Sequence, residues 1–175
     1  MLCYKLERGF TLLELMVVLA VAAVLVAIAF PSFQETIRSN NVITAVNDLT
    51  ASLSLARSDA VRSHKNVIVC PSNDGYSCTN NWTNGWMVWR DTNNNASFDN
   101  TDTVLAFSKA NPSINYTSTF ARVTFDRSGH AIEGNEGGLI AIYLQPTVCT
   151  PNADQQRTVR INISGQINTQ KGVCT

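Results

Sequence analysis

The sequence predicts an α+β fold: one long N-terminal helix packed on an antiparallel β-sheet or small β-sandwich domain. Three observations predict it. Residues 10–30 form an apolar run interrupted only by Thr11 and Glu14, residues 31–65 continue with a single apolar stripe on a polar background, and short β-type runs follow one another after Asn66.

The apolar run carries one charge, Glu14, and is preceded by Lys5 and Arg8. Its 21 residues, at about 1.5 Å each, make a helix of roughly 31 Å, the thickness of a bilayer core. Basic residues ahead of such a span predict that the remainder of the chain lies outside the cytoplasm. The run is long for a signal peptide, and no small-x-small cleavage site follows it, because Ala27-Ile28-Ala29 leads directly into Phe30-Pro31. Glu14 argues against a plain anchor. A carboxylate within hydrocarbon costs about 2.5–3.5 kcal/mol unless it is paired or neutralised. Its natural partner is a cation at similar depth on another chain.

Pro31 removes a helical hydrogen bond and predicts a kink, after which the helix resumes. Val42, Val46, Leu49, Leu53, Ala56 and Ala60 follow spacings of four and three, which makes one stripe that packs on a domain. Arg62, His64 and Lys65 crowd the end of this helix, where cations suit its dipole, and His64 is read as a cap-region residue. The domain beyond, residues 66–175, begins with a strand at 67–70 that Pro71 ends. A polar, turn-rich stretch at 72–84 comes next, and then a strand of period two at 85–90. Further strands are expected at 103–107, 114–117, 122–126, 139–144 and 158–164, with a turn at 126–129. Trp82, Trp86 and Trp89 are read first as sheet or core packing, and second as the lining of a ligand groove.

Thirteen basic and thirteen acidic residues cancel, and no basic block suggests nucleic-acid binding by bulk charge. The two histidines, His64 and His130, stand in no nucleophile or metal motif, so no enzymatic activity is expected.

Gly9-Phe10-Thr11-Leu12-Leu13-Glu14 resembles the prepilin peptidase site of type IV pilins and type II secretion pseudopilins. The resemblance implies a leader at residues 1–9, cleavage after Gly9 and N-methylation of Phe10. It also implies that Glu14 pairs with the N-terminal amine of a neighbouring subunit during assembly. A buried carboxylate and a buried ammonium are each costly alone and tolerable together. Two inner segments resemble the FimT, FimU and GspH branch of this superfamily. One is Leu55-Ala56-Arg57-Ser58-Asp59-Ala60-Val61 with the strand after it. The other is Asn84-Gly85-Trp86-Met87-Val88-Trp89-Arg90-Asp91, followed by an Asn/Asp loop and Val104-Leu105. The implied protein is a minor pilin that waits in the inner membrane with its domain in the periplasm, then enters a pilus or its priming complex. Its implied partners are prepilin peptidase and other minor and major pilins or pseudopilins, met through the N-terminal helix. A GspH-type pseudopilin of a type II secretion system is the first alternative, and a DNA-binding minor pilin for natural transformation is the second.

Loss of the leader would remove Cys3 and leave Cys70, Cys78, Cys149 and Cys174 on the exported side. Four cysteines in an oxidising compartment favour two disulfides with three connectivities. Cys70–Cys78 and Cys149–Cys174 are preferred because each closes a local loop. No paired short-spacing cysteine motif with a nearby histidine supports zinc.

Asp91, Asn93, Asn95, Ser97, Asp99 and Asp102 fall at the first, third, fifth, seventh, ninth and twelfth places of a loop, the spacing of calcium ligands in an EF-hand. Ala96 replaces the usual glycine and Asp102 is a short last arm. The competing reading is a strand-connecting loop of Asx turns. No cofactor is expected other than calcium at this loop. Some FimT-type minor pilins bind DNA through a Gly-Arg-x-Arg segment, and the matching stretch here is Ser164-Gly165-Gln166-Ile167-Asn168. Gly165 matches, but Gln166 and Asn168 stand in place of the arginines. Arg157, Arg160 and Lys171 remain as the candidate DNA contacts. Binding is expected to be weak, since counterion release needs charge.

Overall fold

The computed structural model describes residues 11–118, 120–132 and 139–174, with the backbone alone at Pro31 and Ser32. Helix α1 spans Leu12–Ser63 and is unbroken through Pro31. It opens with a Thr-x-x-Glu signature in which the Thr11 hydroxyl accepts the Glu14 N–H at 3.2 Å. It closes at His64, whose left-handed φ of 55° stops the helix as a C-cap residue does.

The chain divides into two compact units, Met1–Ile37 and Arg38–Thr175. In the first, the helical side chains from Leu12 to Phe30 are exposed. An 18-residue window there has a mean hydropathy of 2.9, long and apolar enough to cross a membrane. In the second, the remaining helical turns bury Val42, Ala45, Val46, Leu49, Leu53, Ala56 and Ala60, the expected stripe widened by Ala45.

Eight strands follow among the described residues. They are β1 (Asn66–Pro71), β2 (Trp86–Asp91), β3 (Thr103–Ser108), β4 (Ile114–Ser118), β5 (Val123–Phe125), β6 (Ile140–Pro146), β7 (Gln156–Ile161) and β8 (Ile167–Gly172). They make two antiparallel four-stranded sheets, ordered β3-β2-β1-β5 and β4-β6-β7-β8. One core joins the helix stripe to Val67, Val69, Trp86, Val88 and Phe125 of the first sheet and to Ile140, Ile142, Leu144, Val159 and Ile161 of the second. Alternation sends Ile68, Cys70, Met87 and Trp89 to the other face of the first sheet, where Phe98 covers them as a small second cluster.

Two strand expectations need correction, and one strand has no counterpart among them. Gly85 is outside β2: its φ of +129° and the 2.4 Å from a built Cβ to Ser108 O suit a tight turn, and it caps the 3-10 turn Trp82–Asn84. The strand expected at 158–164 is β7, which ends at Ile161. Residues 162–165 form a turn, in which Gly165 N–H donates to Asn162 O at 2.9 Å. β8 was not anticipated. Its residues Ile-Asn-Thr-Gln-Lys-Gly have no buried member and hence no apolar alternation to read.

Candidate functional site

Gly9 and Phe10 lie outside the described residues. Glu14 stands in the first turn of α1, its side chain exposed among the exposed apolar side chains of the span.

Cys70, Cys78, Cys149 and Cys174 form two disulfides in the structure. Cys70, buried in β1, is joined to Cys78, with Cα atoms 5.6 Å apart. Cys149 is joined to Cys174, with Cα atoms 5.9 Å apart. The first bridge holds the 72–84 loop to the sheet. Asp74 shapes that loop by accepting the N–H groups of Tyr76 at 2.9 Å and Ser77 at 3.1 Å. The Tyr76 N–H leads the bonds that hold this carboxyl below its ordinary range. The second bridge is flanked by Cys174 N–H on Ala153 O, at 3.0 Å.

The Asn/Asp loop follows β2 directly. Asp91, fully buried, accepts the backbone N–H groups of Asn95 at 3.2 Å and Ala96 at 2.8 Å. Asp102 accepts those of Thr92 and Asp99, both at 2.9 Å. Asn93 and Asn95 turn their NH2 groups to Asp99 Oδ2 at 2.8 Å, while Ser97 presents its backbone N–H to Asn95 Oδ1 at 2.7 Å. Asp99 also accepts the hydroxyl and N–H of Thr101, and these bonds, the hydroxyl first, hold its carboxyl well below the usual range. The six calcium candidates therefore share one loop, and the side-chain oxygens of Asp91, Asn93, Asn95, Asp99 and Asp102 there accept the loop's own donors. Among the described residues no group of three or more acidic, histidine or cysteine side chains is assembled for a metal.

The three DNA candidates do not form a cluster. Arg157 is withdrawn from the set. It is 9% exposed, on the same strand face as Val159 and Ile161, and donates to the carbonyls of Asp154 at 3.0 Å and Gln156 at 2.8 Å. Lys171 is exposed opposite Arg157, whereas Arg160 lies on the other face, opposite Ala141 and Asn168. Gly165 has a structural reason of its own. Its φ is +74°, and a Cβ there would come 2.0 Å from Gly129 O.

Two constellations were missed by reasoning from sequence. Asp59, 3% exposed, accepts two bonds from Arg90 of β2, Nε at 2.7 Å and Nη2 at 2.9 Å, and a third from Arg62. The Arg90 bond is the main reason its carboxyl titrates below the ordinary range, and the same bond raises Arg90. Arg57 donates to Gly129 O at 3.1 Å and to Ser164 O at 3.0 Å, joining the helix to the turn after β5 and to the β7–β8 turn. A weak signal existed for the first: Asp59 falls between Ala56 and Ala60 on the buried stripe, so its charge needed a partner.

A helix apolar along its first half, buried by a stripe along its second, and followed by two antiparallel sheets defines a pilin-like protein. The family model described as Type II transport protein GspH matches residues 45–165, and the chain belongs to that family. A second model, the prokaryotic N-terminal methylation motif, matches residues 4–30. The fold is similar to that of the type IV minor pilin FimU of Pseudomonas aeruginosa in two crystal forms. One has a TM-score of 0.58 at 18% identity, covering 75% of this chain and 89% of that one. The other has a TM-score of 0.55 at 15% identity, covering 73% and 90%. A curated fimbrial protein of Pseudomonas aeruginosa is 38% identical over 64 residues, 37% of this chain and 41% of that protein. Fimbrial protein Q of Moraxella bovis is 42% identical over 45 residues, 26% of this chain and 29% of that protein. The chain thus spans less than half the length of the curated relatives it matches.

Proposed function

We propose that this chain is a minor pilin, a non-enzymatic structural subunit that takes part in assembling or priming a type IV pilus. The observation that carries the reading is the joining, in one chain, of an N-terminal methylation motif over residues 4–30 to a helix and a two-sheet body of FimU-like fold. In this reading prepilin peptidase cuts between Gly9 and Phe10, and Phe10 becomes N-methylated. The helix holds the chain in the inner membrane, with the domain in the periplasm, until it passes into the pilus. Glu14 then meets the amine of a neighbouring subunit, which offsets the cost of burying either charge.

The family model's own description, a type II transport protein, favours one second reading, a pseudopilin of a secretion system. The test is a gene deletion complemented by wild type or by Glu14→Ala. Wild type should restore surface pili. The variant should be processed and inserted normally, since the span only becomes more apolar, yet fail to restore them. Normal incorporation of the variant would overturn the pairing role. Intact pili with lost protein secretion in the deletion strain would favour the second reading.

A further inference from the structure

Two rows of side chains cross the outer face of the second sheet, the face turned from Ile142, Leu144, Val159 and Ile161 of the core. Register sets Thr117, Tyr143, Thr158 and Gln170 side by side on β4, β6, β7 and β8. The next row runs Asn115, Gln145, Gln156 and Gly172. Thr117, Tyr143, Gln145 and Gln156 line a cavity of about 280 Å³ where the two rows adjoin. That is close to the lower bound of about 300 Å³ for small-ligand sites and leaves room for one ring of a ligand.

The wall is uncharged and prearranged. Gln156 Nε2 donates to Gln145 Oε1 at 3.1 Å, which orients both amides. Gly172 leaves space for the Gln156 arm, since a Cβ there would come 2.8 Å from Gln156 Oε1. Tyr143, half-buried, adds an aromatic ring beside them. Neither row carries a carboxylate or a cation, and among the outward positions of these four strands Arg160 alone is charged.

An amide offers donors and an acceptor together, and a sugar hydroxyl both donates and accepts. A sugar ring also has a C–H face that packs on an aromatic side chain as other apolar groups do. A neutral ligand brings no ion to be stripped of water against an uncharged wall. Strands lie about 4.8 Å apart, close to the length of one sugar unit, so a glycan laid across them meets a new side chain at each unit. We propose that this face binds a neutral polysaccharide outside the cytoplasm, with one pyranose ring in the cavity against Tyr143 and the next units over Thr158 and Gln170. The location rests on the proposed export of the domain, and the binding does not.

The test titrates the ¹⁵N-labelled full-length chain, in a sugar-free detergent, with cellohexaose and with chitohexaose, and follows the side-chain NH2 resonances of Gln145 and Gln156. At least one hexasaccharide should shift both saturably by millimolar concentration. Tyr143→Ala should weaken that binding at least about tenfold, whereas Tyr143→Phe, which keeps the ring, should stay within about threefold of wild type. Gln156→Met keeps the length of the arm without its amide and should also weaken binding. Backbone spectra matching wild type keep a loss of binding distinct from a loss of fold. Neither sugar shifting these resonances would overturn the proposal, as would unchanged affinity in both Tyr143→Ala and Gln156→Met. Tighter binding of a heparin hexasaccharide, lost in Arg160→Gln, would make this an anion surface instead. Shifts of the same resonances on raising the protein concentration, unaffected by sugar, would show the face covered by a second copy of the chain and would equally overturn it. The readout is independent of surface pili, so failure here leaves the pilin reading standing, and failure of that reading leaves the binding intact.

Discussion

Burial works against the charge on Asp59, and its arginine partners outweigh that effect. Arg90 presents two N–H groups to its carboxylate and Arg62 a third, and the Arg90 bonds fasten the end of α1 to β2. Removing one partner of a buried pair leaves the other uncompensated, at about 3–5 kcal/mol. Arg90 keeps 23% exposure and can recover some hydration, so Asp59→Ala should cost about 3 kcal/mol, the low end of that range. The pH dependence has a definite sign. The folded carboxyl titrates below its ordinary value of 3.8, so its stabilisation is complete above that value and is lost as pH falls through the folded one. Urea denaturation of wild type and variant should give a constant difference from pH 7 to about 5 that narrows below about 4. A difference independent of pH down to 2 would contradict the pairing. The pair itself was illegible in the sequence, because it links residues 31 positions apart with no local pattern between them.

Among the elements, β8 departs furthest from its sequence. β1, β2 and β6 announce themselves because they bury residues in succession, but β8 is an edge strand with only β7 beside it. Its polar residues carry no period, and the pairing that makes it a strand lies with its neighbour. Cys174, two residues past its end, supplies a tether through Cys149, worth about 3 kcal/mol for a loop of this size. Cys174→Ser should therefore speed hydrogen exchange at Thr169 and Lys171 well before that of the helix at Leu49 and Leu53. Equal acceleration in both would show that the bridge stabilises the whole body. Mass mapping without reductant should return the two local pairings, and a Cys70–Cys149 peptide would refute them. The Asn/Asp loop was legible as a loop, while its use remained open between calcium and Asx turns. Its carboxylates accept N–H groups from residues 92, 95, 96, 99 and 101, and a cation would have to compete with those donors. We expect no heat on titrating the chain with millimolar calcium, and a saturable exotherm would establish the metal site.

For the whole molecule, the class was legible because it rests on long-period features: a span of bilayer length, a stripe, and strands in series. Division of the strands into two sheets was not, since pairing β1 with β5 and β4 with β6 depends on contacts far apart in the chain. The distribution of charge also belongs to this scale. With Arg157 buried and Arg160 and Lys171 on opposite faces, these three residues make no continuous basic surface along the second sheet to follow a phosphate backbone. Anisotropy titration with duplex DNA at about 150 mM salt should show no micromolar binding; salt-sensitive binding lost in Arg160→Ala or Lys171→Ala would reverse that expectation.

Arg57 and Asp59 stand two residues apart near the end of α1, and between them they grip both sheets. Arg57 holds the β7–β8 turn and the turn after β5, and Asp59 holds β2. A pull along the helix would thus reach the two sheets together, each through its own hydrogen bonds, rather than peeling one from the other. Tension would be borne in parallel, and the body should yield in a single rupture. Arg57→Ala would leave Asp59 gripping only the first sheet, and the force trace of one stretched molecule should then break in two steps.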